Sequence, residues 1–445
     1  MHITKLEFSN LPPLTDYEDE FDLNRQVNLF IGPNATGKST VLRAIKKLHS
    51  MALSESPDSG FPSKGISSRE GWIEYTDAVN YVNPGQVLSF GMQASNDWPR
   101  DEAGNTNWGG VPFLYVPATR LSLATQRVFE PNVFDQRIEE LEDVRTDDLL
   151  NRLFDTESGV FDGRYVEPVI ERLQKQMAGD IAQQNSFRYT LEVAHSCAQS
   201  ICSEVISDEY PSSYVDRYET LNKGRSVHHG MGIETTDQFY DRPRPLYAGA
   251  LSSGSQGTLL WVYALALRMW LRYESESIMY SVTERPAILL IDEIENHLHP
   301  TWQRRVIPKL LRNFVGLQIF ATTHSPFVVA GLEVGQVHRL SRDEPHTTNP
   351  EDIVGWTADE ILRNMMDVEE PTDQLTVDRA NRLRQLREKE SLTAEEESEL
   401  AELRRQVNED LLTKEGQIGA QRERYADLME RFLLSRQSGP TQDGD

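Results

Sequence analysis

The sequence predicts an α/β fold organised around a mostly parallel sheet, and three stretches predict it. In the first, Val27-Asn28-Leu29-Phe30-Ile31 reads as a short apolar strand running into Gly32-Pro33-Asn34-Ala35-Thr36-Gly37-Lys38-Ser39-Thr40. That loop has the form G-x-x-x-x-G-K-S, and Val41, Leu42, Ile45 and Leu48 then share one face of a helix. In the second, Ala287-Ile288-Leu289-Leu290-Ile291 is apolar without alternation, as suits a strand covered on both faces, and Asp292-Glu293 end it. In the third, His299-Pro300 open an amphipathic helix carrying Trp302, Val306, Ile307, Leu310 and Leu311. The next strand, Gln318-Ile319-Phe320-Ala321-Thr322, follows it, so the unit is strand–helix–strand and its strands are parallel.

In chain order, residues 2–8 read as an edge strand and Pro12-Pro13 as a turn. An acidic stretch from Asp16 to Asp22 leads to the strand before the glycine loop. Residues 53–70, rich in Ser, Pro and Gly, read as loop. Residues 71–95 alternate weakly, through Trp72, Ile73, Tyr75, Val87, Leu88 and Phe90, and suggest an antiparallel hairpin. Asp97 to Gly110 reads as loop again, and Phe113-Leu114-Tyr115-Val116-Pro117 as a buried strand. Helical periodicity marks Ile138 to Phe154 and Val166 to Met177, while Tyr189 to Val205 fits either a helix or a strand. Residues 121–240 therefore read as a mainly helical insertion, too short and too broken for a long antiparallel coiled coil. Leu251 to Gly257 precede a helix from Thr258 to Trp270 that is apolar all round and so predicted to be buried. Thr357-Ala358-Asp359-Glu360 is a capping box before Ile361, Leu362 and Met365. Leu383 and Leu386 mark a charged helix, and Thr393 with Glu396 caps another carrying Leu400, Leu403, Val407 and Leu411. Such a pair suggests an αα-hairpin, its charge being either a solvated face or a partner surface. A last helix is predicted near Tyr425 to Leu434, before a polar tail from Ser435.

The chain has 445 residues, 38% hydrophobic and 26% charged, which suits a globular protein with sizeable solvated parts. No apolar run approaches the ~20 residues that span a bilayer, and Met1 to Lys5 lack the apolar core of a signal peptide. The expected location is the cytoplasm, with no membrane partner. Cys197 and Cys202 are too few for a disulfide framework and are expected to be buried thiols. A net charge of −25 argues against a wholly basic nucleic-acid binder.

The spacing carries chemistry. Gly32 and Gly37 let the loop turn its N–H groups inward, and the following helix adds positive potential at the same point. Lys38 supplies a full charge to the β- and γ-phosphates, and Ser39 offers its hydroxyl to Mg²⁺. Asp292 stands at the carboxyl end of a buried strand, where open α/β sheets place ligands, and is the second predicted Mg²⁺ residue. Glu293 beside it is the candidate for polarising the attacking water. His324, after Ala321-Thr322-Thr323 and before Ser325-Pro326, is predicted to donate to the γ-phosphate or position the water. His297 and His299 invite a metal reading, but no third or fourth ligand accompanies them.

Leu251-Ser252-Ser253-Gly254-Ser255-Gln256 resembles the signature turn of the ABC family, with Ser253 in place of its first glycine. The set Gly32–Thr40, Leu251–Gln256, "LLIDEIENHLHP" and "FATTHSPFV" resembles the stand-alone ABC-type ATPases of the OLD and RecF kind. Gly355 to Leu362 resembles the C-terminal part of the PtuA-like (Septu-type) ATPases of bacterial anti-phage defence. The resemblance implies a P-loop NTPase with an ABC-type head, a helical insertion and a helical C-terminal extension. Its parts would be 1–120 and 241–345 for the head, 121–240 for the insertion and 346–445 for a partner-binding extension. It implies ATP and Mg²⁺ as cofactors, with Ser252 and the backbone of Gly254 contacting the γ-phosphate held by another copy of the chain. ATP would then be sandwiched in a homodimer or larger homo-oligomer, with Glu295 to Pro300 as the loop linking the sites. OLD proteins carry a C-terminal Toprim nuclease; the 120 or so residues after His324 are too few and too helical for one. A PtuA-like ATPase instead implies a separate HNH-type nuclease as partner, in anti-phage defence, with DNA as a candidate ligand. The alternatives are a RecF-like DNA-repair ATPase and, less in keeping with the late signature, a transporter subunit.

Overall fold

The computed structural model describes residues 1–9, 18–54, 66–69, 72–79, 86–101, 105–118, 145–154, 166–202, 232–236, 243–247, 253–274, 281–341 and 346–368, with separate positions between 378 and 403. The chain divides into two compact units, Met1–Asp367 and Val368–Asp445. In the first unit, strands β1 (Ile3–Ser9), β2 (Glu18–Asp22) and β3 (Val27–Ile31) lead to helix α1 (Lys38–Ser54). Strands β4 (Ile66–Arg69), β5 (Trp72–Val79) and β6 (Gln86–Ala94) follow, then a 3-10 turn at Trp108–Gly110 and β7 (Phe113–Val116). Helices α2 (Thr146–Leu153), α3 (Val166–Gln176) and α4 (Ile181–Cys202) precede strands β8 (Gly232–Thr236) and β9 (Pro243–Tyr247) and helix α5 (Ser253–Tyr273). The unit continues with β10 (Ala287–Ile291), α6 (Pro300–Asn313), β11 (Leu317–Thr322) and α7 (Pro326–Val329). It closes with β12 (Val337–Arg339), β13 (Thr347–Thr348) and α8 (Ala358–Met365).

The central sheet has the order β13-β12-β3-β11-β10-β7 and is parallel except for β13 against β12. The fold is thus the expected α/β one with a mostly parallel sheet. Strands β3, β10 and β11 are wholly buried because their side chains alternate between two cores. Phe30, Ile288, Leu290 and Phe320 face α1 and the antiparallel sheet. Leu29, Ile31, Leu289, Ile291 and Ile319 face the core built with α4, α5 and α6. There α4 packs along α5 and against α6, and Phe187 meets Trp270 edge-on at 4.7 Å. Cys197 and Cys202 are buried free thiols, and burial pushes Cys197 well above the ordinary thiol range.

A second sheet, ordered β2-β1-β6-β5-β4, is antiparallel throughout its described pairs. It carries the expected hairpin of residues 71–95 as β5 and β6. It also corrects two expectations. Residues 3–9 are not an edge strand, since β1 pairs with β2 on one side and β6 on the other. Within residues 53–70, α1 persists to Ser54 and Ile66–Arg69 is a strand on β5, its partner supplying the order that its own Ser-rich sequence lacks. The two sheets are joined by Gln318, 1% exposed. Its Oε1 accepts the Ile3 N–H at 2.8 Å, and its Nε2 donates to the Ile3 carbonyl at 2.9 Å and the Asn24 carbonyl at 3.0 Å.

Within residues 121–240 the described elements are α2, α3, α4 and the strand β8, which pairs with β9. Tyr189 to Cys202 is helix rather than strand. The helix expected from Thr258 begins earlier, at Ser253, so the Ser/Gly turn is its first turn. At α8 the capping box forms, with Thr357 accepting from the Glu360 N–H and Glu360 from the Thr357 N–H. In the second unit Thr393 and Glu396 make the same reciprocal pair, at 3.3 and 3.1 Å, before a helix at 395–403. Arg382 donates to both carboxylate oxygens of Glu399 at 2.8 and 2.9 Å. Pro12-Pro13, Val407, Leu411 and the helix expected near Tyr425 lie outside the described residues. Among the described residues no helix is long and apolar enough to cross a membrane.

Candidate functional site

The parallel register sets the carboxyl ends of β3, β11 and β10 side by side, which is where an open α/β sheet collects ligand-binding loops. From β3 the chain enters Gly32 at φ +141°, where a Cβ would lie 2.2 Å from the Leu340 carbonyl oxygen. No side chain fits there. Ala35 and Gly37 then take φ +62° and +88°, so the backbone curls through left-handed positions before α1 starts at Lys38. Pro33, Asn34 and Ala35 are exposed, Thr36, Gly37 and Lys38 buried, and Ser39 and Thr40 half-buried. Thr36 Oγ1 donates to the Pro33 carbonyl at 3.0 Å and pins the curl. The first turn of α1 holds no acidic residue, so its N-terminal dipole is not offset by a carboxylate there.

Lys38 lies under this curl. Its Nζ donates to the carbonyls of Gly32 at 2.8 Å and Pro33 at 2.7 Å. Burial pushes the ammonium down to about 8, against the opposing pull of Asp292, Glu295 and Glu293. Ser39 Oγ donates to Asp292 Oδ1 at 2.8 Å, joining residues 253 positions apart. Thr322 Oγ1 donates to that same oxygen at 2.5 Å and accepts the Glu293 N–H at 2.7 Å. Glu293 is at φ +49°, which turns the chain sharply after β10. Asn296 Nδ2 donates to the Ala118 carbonyl at 3.0 Å and to Glu293 Oε2 at 3.3 Å. Glu295 accepts from Thr323 Oγ1 at 2.7 Å and from the His324 N–H at 2.6 Å. His324 itself is exposed at the end of β11. Desolvation of part of its ring, and then the Lys38 charge, lower its pKa.

Lys38, Ser39, Asp292, Glu293 and His324 are therefore gathered at one edge of the sheet. Gly254, in the first turn of α5, lies against the loop after β10: a Cβ on it would lie 1.9 Å from the His297 carbonyl oxygen, and its three nearest neighbours all belong to His297. Ser252 lies outside the described residues. In the sequence reading Thr322 has no site role, and Glu295 and Asn296 count only as part of the loop from Glu295 to Pro300. They sit inside the quoted stretches, but only strand pairing reveals what they touch.

An oxygen pair such as Ser39 Oγ and Asp292 Oδ1 is the donor set that Mg²⁺ takes, since that ion uses one or two carboxylates and completes its shell with phosphate and water. Among the described residues no group of three or more His, Cys, Asp or Glu is placed to hold a metal, including His297 and His299. The arrangement can bind a polyphosphate at a helix N-terminus, screen its charge and place a carboxylate and an imidazole beside its end.

Comparison with known proteins matches residues 116–330 to a family described as "AAA domain, putative AbiEii toxin, Type IV TA system". Residues 1–65 match a further AAA domain family. Over 411 residues the chain is 23% identical to "Retron Ec83 probable ATPase" of Escherichia coli, covering 80% of this chain and 75% of that protein. Over 140 residues it is 28% identical to "Septu protein PtuA" of Bacillus thuringiensis, covering 30% of this chain and 35% of that one. Among solved structures, the SMC head domain from Thermotoga maritima aligns over 79% of this chain and all but 1% of its own, which is 99% covered, at 13% identity and a TM-score of 0.32. The likeness to PtuA read from the motifs recurs in these sequence matches.

Proposed function

We propose that this chain is an ATPase that closes in pairs around ATP and Mg²⁺ and governs a separate HNH-type nuclease in anti-phage defence, in the cytoplasm. The observation that carries the ATPase part is the Ser39–Asp292 hydrogen bond at 2.8 Å beside the buried Lys38. The two halves of a nucleotide site, far apart in sequence, meet there. The ATPase name of the retron relative and the Septu name of PtuA support the reading and its setting.

On this reading Ser39 and Asp292 hold Mg²⁺, which when bound draws charge from the β- and γ-phosphates. Lys38 turns its Nζ from the Gly32 and Pro33 carbonyls to the phosphates, trading two neutral acceptors for charged ones. Glu293 takes a proton from the attacking water, and Asn296 keeps its carboxylate turned toward the end of β7. His324 donates to the γ-phosphate. The turn at Ser252 and Gly254 serves the nucleotide of a second copy, so hydrolysis waits on pairing. The charged C-terminal extension, 346–445, carries the nuclease.

Sedimentation with ATP and Mg²⁺ tests the pairing. Glu293→Gln is expected to hold ATP without consuming it and to sediment at twice the mass, while Lys38→Ala binds no ATP and keeps its mass. A Glu293→Gln protein whose mass is indifferent to ATP would sink the sandwich.

A further inference from the structure

Both carboxylate oxygens of Glu295 are engaged by the end of β11. One accepts the Thr323 hydroxyl at 2.7 Å and the other the backbone N–H of His324 at 2.6 Å. The residues on either side of this contact are tied as well. Ile294 N–H donates to the Thr322 carbonyl at 3.0 Å, so the loop after β10 lies along the last rungs of β11. Thr323 Oγ1 accepts the Ser325 N–H at 3.0 Å, and Ser325 Oγ donates to Gln303 Oε1 on α6 at 2.6 Å. Gln303 Nε2 in turn donates to the Leu298 carbonyl at 2.8 Å, back on the loop that carries Glu295. His324 is thus clamped before and after its own position, while its ring stays exposed.

We propose that Glu295 is the positioning residue of His324: it fixes the backbone from which the imidazole reaches the nucleotide, through two hydrogen bonds rather than through its charge. The proposal rests on the ATPase reading only for the role of His324; the clamp itself is independent of it. A glutamine can reproduce the clamp. Its amide oxygen accepts the His324 N–H, and its NH2 donates to a Thr323 hydroxyl turned the other way. An alanine cannot.

The test uses the full chain and its Glu295→Ala, Glu295→Gln, His324→Ala and Glu295→Ala/His324→Ala variants. Steady-state turnover with ATP and Mg²⁺ is expected to fall about tenfold or more in kcat for Glu295→Ala, with KM held within about twofold, and to return to within about threefold of the parent in Glu295→Gln. In the His324→Ala background, adding Glu295→Ala should cost less than about twofold more, because two residues acting through one path are not additive. Equal losses with His324 present or absent, or a glutamine variant as poor as the alanine one, would overturn the proposal. Hydrogen exchange at the amide of His324, read without nucleotide, gives a measure that needs no turnover. It should quicken about tenfold or more in Glu295→Ala and stay near the parent rate in Glu295→Gln. Unchanged exchange in Glu295→Ala overturns the clamp whatever the activity. A parent chain that exchanges as expected but hydrolyses nothing fails the ATPase reading instead, and the role through His324 falls with it.

Discussion

Thr322 Oγ1 gives its proton to Asp292 Oδ1 and receives that of the Glu293 N–H, so one hydroxyl orients both carboxylate-bearing residues after β10. Valine has nearly the same shape and can do neither. Each hydrogen bond lost there costs about 0.5–3 kcal/mol, although Asp292 keeps the one from Ser39. Thr322→Val is therefore expected to fold, to lose several degrees of thermal midpoint, and to turn over ATP about tenfold more slowly or worse. Parent-like kinetics in a coupled phosphate-release assay would remove Thr322 from the site. Lys38 and Ser39 stood out because a phosphate loop calls for those residue types in that order, and Asp292 because it ends a buried apolar run; the structure brings the three together. The contacts made by Thr322, Glu295 and Asn296 were not legible. Their partners are set by the register that pairs Ile291 with Ala321, and no periodicity in one strand discloses its offset from another.

At the scale of elements, the strongest signals came from buried parallel strands, where apolar runs leave few alternatives: β3, β10 and β11 fell where expected. The antiparallel sheet was harder. Ile66–Arg69 has one apolar residue in four, so its strand character comes from β5 alone, and the interior place of β1 depends on β6, some eighty residues away. Helix α5 begins ahead of its apolar run because Gly254 lets the first turn lie against the His297 carbonyl. That carbonyl belongs to a residue itself at φ +63°, so the loop has little room to retreat. Gly254→Ala puts a methyl into the contact. It is expected to displace residues 293–299 and to cut turnover about tenfold or more, although alanine is the better helix former. A Gly254→Ala chain with undiminished turnover and a raised thermal midpoint would mean that helix propensity outweighs the contact.

At the scale of the molecule, the residues proposed for the nucleotide site that have described placement all belong to the unit Met1–Asp367. A chain ending at Asp367 is expected to fold and to bind a fluorescent ATP analogue with an affinity within about threefold of the full chain. Failure to bind would place part of the nucleotide site beyond Asp367. Within that first unit the parallel and antiparallel sheets are stitched by the Gln318 amide, which stands in for a neighbouring strand at Ile3 and Asn24. Prising this seam open would strip three hydrogen bonds from a glutamine that is 1% exposed. The two sheets are thereby tied to one another at Gln318, and any rearrangement that accompanies the proposed ATP cycle is left to the turns at the carboxyl ends of the strands.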